Sequence, residues 1–146
     1  MDYVVPAAVV SDAVNAAVKK SNLSIGDMLI RGALSGAFLG YATSLVFTAL
    51  SQGLPGLVGA IIFPVGFVIL VLLGLELATG NFALLAAGWM DRRVSGGALM
   101  RNWIWVLIGN LLGSVLQVIY RHNQSVSQTG AGVTGLGLPK ACAFPP

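Results

Sequence analysis

Three polar side chains stand close together at the end of an apolar stretch: Glu76, Thr79 and Asn81 in FPVGFVILVLLGLELATGN, Phe63 to Asn81. Their types and spacing suit the handling of an anion at a helix end rather than covalent chemistry. A helix starting near Glu76 to Thr79 points its free backbone amides and the positive end of its dipole at whatever precedes it, and small anions bind at such ends. The Thr79 hydroxyl and the Asn81 amide can add donors there, or can cap and pack a broken helix without touching a ligand. Glu76 fits the anion less well, because a carboxylate repels it. Left charged at the centre of a bilayer it costs on the order of 2.5–3.5 kcal/mol. It must be paired, hydrogen-bonded or close to an interface. A structural role, accepting hydrogen bonds from the broken backbone or from a neighbouring protomer, is expected ahead of a proton relay.

The elements that position these residues are membrane material. Hydrophobic residues make up 56% of the chain and charged residues 9%, and no charge occurs between Gly32 and Leu75. The apolar run Leu54 to Met90 would be about 55 Å long as one helix, nearly twice the hydrocarbon thickness of a bilayer, so it must bend, break or re-enter. Pro64 and Gly66 supply a Pro-x-Gly break within it. The sequence predicts an all-α integral membrane protein with three transmembrane segments, the second a broken helix with a loop.

Residues 1–31 read as an amphipathic segment at the cytoplasmic interface, with Val5, Ala8, Val9, Ala13, Ala16 and Ala17 near one face. Ser24 to Asp27 has capping-box spacing with Asp in place of Glu, a start signal for the next helix. The membrane domain covers 32–121. Its first span, Gly32 to Leu50, carries Gly32, Gly36 and Gly40 at four-residue intervals, a face for close helix packing. Ser51 to Gly56 is an uncharged turn, Asp91 to Arg101 a basic loop, and Asn102 to Tyr120 the third span with Trp103, Trp105 and Tyr120 as interface anchors. Asn110 in that span reads as interhelical glue ahead of a pore-lining or helix-break role. Residues 122–146 turn rich in Gly, Ser, Gln and Pro, as expected of a disordered tail.

The net charge of +3 does not imply nucleic acid. The basic residues are scattered, and loop charge facing cytosolic lipid accounts for them, with the N-terminus cytoplasmic. The single Cys142 permits no internal disulfide. No nucleophile–base set or metal-ligand spacing appears, so neither an enzyme nor a metal or cofactor is expected.

The succession of the Phe63–Asn81 segment, the basic loop ending in RNW (Arg101 to Trp103) and GNLLGS (Gly109 to Ser114), with PAA at Pro6 to Ala8, resembles the formate/nitrite transporter family over about Tyr3 to Leu116. The resemblance implies one inverted repeat of a six-helix, aquaporin-like fold, a homopentamer with one pore per protomer, and conduction of small monovalent anions such as formate, nitrite and hydrosulfide across a membrane, the plasma membrane by expectation. It places Phe63 at an outer constriction, Phe67 in the breaking loop at an inner constriction, Leu77 beside it and Thr79 as the pore threonine. Ala78 stands where better-known members have a constriction Phe. The family's pore histidine belongs to the second repeat, and His122 does not match it. With only the first repeat matched and the resemblance ending at Leu116, the expected alternative is a non-transporting fragment or an assembly partner of a full-length homologue.

Overall fold

The computed structural model describes residues 4–132, with side chains as far as residue 123. Those residues form five helices: α1 (Pro6–Ser21), α2 (Ile25–Ser51), α3 (Gly56–Leu72), α4 (Ala78–Met90) and α5 (Gly96–Gly132), and no strand occurs among them. Pro6 opens α1 at the position where a missing N–H costs nothing. Ser24 caps α2, its hydroxyl accepting from the Asp27 N–H at 3.1 Å. Because α2 begins at Ile25, Arg31 lies within it rather than before it.

Backbone contact between α2 and α5 forms the centre of the fold. A Cβ on Gly36 would run into the Asn110 carbonyl, one on Gly113 into the Ala33 carbonyl, and one on Gly109 would sit 2.9 Å from Leu29 O. Glycine is therefore required by volume along this seam, which is how small residues let membrane helices approach closely. Helix α3 lies against the other side of α2, where Gly66 meets Ala42. Ala17 of α1, Leu85 of α4, Val94 of the following turn and Leu99 of α5 form one core cluster, and Met28, Ala78 and Val106 join α2, α4 and α5.

Two helical stretches, Ile25–Ser51 and Gly96–Asn123, are long and apolar enough to cross a membrane, and Gly56–Leu72 is a shorter apolar helix. Large apolar side chains cover the outside, among them Leu57, Leu72 and Phe47 at 71%, 80% and 65% exposure. A surface of that kind matches a lipid or protein surrounding rather than water.

The break in the second segment is not at Pro64 and Gly66. Helix α3 runs unbroken through both and through Phe67, which is helical rather than in a loop, and the chain leaves the helix at Leu73. A proline in an apolar helix forfeits one hydrogen bond, and packed neighbours can tolerate that. Gly66 serves the contact with Ala42. The actual stop is Gly74 at φ +62, with Gly74 N–H donating to Val71 O at 3.1 Å and Leu75 N–H to Leu70 O at 2.9 Å. This pair of bonds is the Schellman ending that glycine favours. At the other end of the chain α5 continues past Tyr120 to Gly132, so the first part of the expected disordered tail is helical; residues 133–146 lie outside the described residues.

Candidate functional site

Leu75, Glu76 and Leu77 form an irregular link between α3 and α4, and such backbone inside an apolar structure needs partners for its polar groups. Asn110 of α5 supplies three. Its Oδ1 accepts from the Ala78 N–H at 2.9 Å, and its Nδ2 donates to Gly32 O and Glu76 O, each at 2.9 Å. One side chain thus ties the first turn of α4 to α2 and to the link. Its position on α5 is fixed by the glycine seam, since Gly32 and Gly36 bring α2 against Asn110 itself.

Glu76 is buried, and its side chain points toward α1. Lys20, in the last turn of α1, reaches both carboxylate oxygens at 2.8 Å. Asn81 Nδ2 donates to Glu76 Oε2 at 2.7 Å and to Asn102 Oδ1 at 2.8 Å, and Asn102 Nδ2 closes the circuit on Lys20 O at 3.0 Å. Trp103 Nε1 donates to Asn81 O at 3.2 Å, while its ring meets Phe82 edge-on. Arg101 donates to Ser21 O and Leu23 O, fastening the turn between α1 and α2. A buried carboxylate is tolerable under these conditions because its charge is paired and its lone pairs are filled. Both Nδ2 protons of Asn81 are engaged here.

Beside this network lies a cavity of about 480 Å³, lined by Phe67, Leu77, Thr79, Gly80, Leu84 and Lys20 among others. Thr79 is exposed. Among the described residues no hydrogen bond is made by the amides of Thr79 or Gly80, which as the second and third residues of α4 have no intrahelical acceptor. The cavity therefore joins apolar walls to a hydroxyl, free amides and a helix N-terminus. Phe63 does not line it; that residue lies one helical turn before Phe67 on α3, 44% exposed. Of the residues singled out in the sequence, the structure brings Phe67, Leu77, Thr79 and the buried Asn81 to the cavity, buries Glu76 beside it, and sets Asn110 behind the link. No group of three or more His, Cys, Asp or Glu side chains able to hold a metal occurs among the described residues.

Lys20 and Asn102 are absent from the sequence-based set. Their signal was indirect. A lone carboxylate in an apolar run requires a cation, and Val14, Ala17 and Ser21 mark the buried face of α1, which Lys20 flanks and Lys19 does not.

A family model described as Formate/nitrite transporter matches residues 7–138. The chain belongs to the formate/nitrite transporter family. The match runs beyond Leu116, where the motif resemblance ends, so the stretch from there to residue 138 also aligns with the family. The uncharacterized transporter YrhG of Bacillus subtilis is 36% identical over 132 residues, covering 86% of this chain and 50% of YrhG. The formate channel BtFdhC of Bacillus thuringiensis is 31% identical over 108 residues, 70% of this chain and 42% of that protein. The formate channel FocA of Escherichia coli is 29% identical over 143 residues, 94% of this chain and 50% of FocA. The chain thus spans about half the length of these curated members of the formate/nitrite transporter family. The family is one of channels and transporters, not an enzyme class.

Proposed function

We propose that this chain forms one side of a transmembrane passage for small monovalent anions of the formate and nitrite type. The observation that carries the reading is the start of α4, where Thr79 and Gly80, whose amides are free, line a cavity that is otherwise apolar except for Lys20 and Asn81. An anion entering between Phe67 and Leu77 loses water, and the helix end and the threonine replace part of its hydration. Phe63 forms a further apolar ring toward the outer side. Glu76, Asn81 and Asn110 hold the broken backbone in place without donating to the anion, because the Glu76 carboxylate is paired and the amide N–H groups of Asn81 and Asn110 are already engaged.

In this reading α2, the α3–α4 pair and α5 are three spans of an aquaporin-like half, one inverted repeat of a six-helix fold, in a homopentamer of the plasma membrane. Lys20, Arg93 and Arg101 lie together at the end of the bundle that α1 covers, which supports a cytoplasmic N-terminus. Thr79 and the 47%-exposed Phe67 open the cavity to the outside of the chain. The passage therefore needs a facing surface from another segment or subunit, which also supports a role as assembly partner of a full-length homologue.

Flux of formate and nitrite into liposomes tests both versions, with the chain alone and co-reconstituted with a full-length homologue. Thr79→Val keeps the shape and removes the hydroxyl, and is expected to lower flux about tenfold, the worth of one hydrogen bond to a charged group. Unchanged flux in Thr79→Val, in a sample with wild-type helicity, would remove Thr79 from the path. Flux that requires the homologue would assign the partner role.

A further inference from the structure

On the side of the α2–α5 pair, an apolar groove of about 430 Å³ runs between Leu34, Ala37, Phe38 and Tyr41 of α2 and Gln117 and Tyr120 of α5. A second cavity, of about 110 Å³, continues it, sharing Tyr41, Gln117 and Tyr120 and ending at Ser44, Thr48 and Arg121. The lining changes from apolar at Leu34 to hydroxyl and guanidinium at Thr48 and Arg121. From Leu34 to Thr48 along α2 is about 21 Å, enough for one leaflet of a hydrocarbon core about 30 Å thick.

The polar end is built and positively charged. Arg121 Nη2 donates to Thr48 Oγ1 at 2.6 Å, which anchors the guanidinium at the mouth of the groove. Arginine carries five N–H donors, and among the described residues Arg121 uses one of them, on Thr48. Gln117 is likewise held, donating to Ser44 Oγ at 3.1 Å. The sequence has no acidic side chain after Asp91 and none between Asp27 and Glu76, so no neighbouring carboxylate on α2 or α5 neutralises Arg121.

An apolar trough one leaflet deep that ends in an uncompensated guanidinium, flanked by Tyr41 and Tyr120, has the chemistry of a phospholipid. The geometry points to a bound anionic phospholipid, one acyl chain along Phe38 and Leu34 and its phosphate on Arg121. Arginine suits phosphate because its planar fork makes paired charge-assisted hydrogen bonds, and basic pockets between membrane helices take anionic head groups in the same way. The site lies on the α2–α5 flank and none of its residues lines the cavity at Thr79. It stands independently of the anion-passage reading.

Native mass spectrometry of the purified full chain, equilibrated with equal amounts of dioleoylphosphatidylglycerol and dioleoylphosphatidylcholine, tests it. Phosphatidylglycerol is expected to be retained about tenfold over phosphatidylcholine, the ratio falling to about one in Arg121→Gln and staying above that in Arg121→Lys, a point charge without the fork. Ala37→Trp, which fills the groove, should lower retention of both lipids several-fold at unchanged helicity. An unchanged lipid ratio in Arg121→Gln overturns the proposal. So does displacement of the lipid by equimolar glycerophosphate, which would leave the groove no part. Lipid loss in step with dimer formation would give the groove to a second copy and also overturn it.

Discussion

Replacing Asn110 with alanine is expected to destabilise the protein by about 3–5 kcal/mol, a large part of the 5–15 kcal/mol that holds a typical domain together. Three backbone groups lose their partner at once: the Ala78 N–H and the carbonyls of Gly32 and Glu76. Each orphaned group costs about 1–3 kcal/mol where water cannot replace the lost bond. The upper sum is not reached, because Asn110 is only partly buried and some water enters. Asn110→Asp should be no better than alanine. It retains an acceptor for Ala78 but turns a negative oxygen toward two carbonyls. Chemical denaturation in detergent measures the loss, and hydrogen exchange at the Ala78 N–H should speed up first. A cost below about 1 kcal/mol would mean that the link is held by something other than this amide.

The second large effect is expected at Lys20. Lys20→Met leaves the Glu76 carboxylate, 3% exposed at its side chain, with the Asn81 N–H as its remaining partner. Removing one member of a buried ion pair costs about 3–5 kcal/mol, because the other charge stays desolvated. The reverse change is asymmetric. The Lys20 side chain is 22% exposed and can turn its ammonium to water, while Gln at 76 still accepts from Asn81, so Glu76→Gln should cost about 1–2 kcal/mol. The double variant Lys20→Met with Glu76→Gln should then be more stable than Lys20→Met alone. Equal single costs that simply add would contradict a coupled pair.

The unequal legibility of these features in the sequence has a physical origin. Composition and the long uncharged run required apolar helices, and the length of Leu54–Met90 required an interruption, since both depend on sums over many residues. The position of the interruption depended on single residues, where sequence signals compete. Pro64 is the stronger helix breaker by propensity, yet it sits inside α3, and Gly74 ends the helix through a backbone sign that no propensity reports. Thr79 and Glu76 could be singled out because polar residues are conspicuous in an apolar run. Lys20 and Asn102 could not, because their roles arise only when α1 and α5 are brought to Glu76 across 56 and 26 positions of chain.

Gly74 and Gly36 carry opposite constraints behind the same letter. A Cβ on Gly36 has no room, whereas around Gly74 nothing lies within 4 Å of where one would stand. What Gly74 supplies is handedness, for at φ +62 an L-residue loses roughly 1–2 kcal/mol and a D-residue loses nothing. An L-alanine would find space but the wrong backbone hand at Gly74, and the right hand but no space at Gly36. The interruption that creates the site is thus specified stereochemically, and the seam that aligns Asn110 with it is specified by volume.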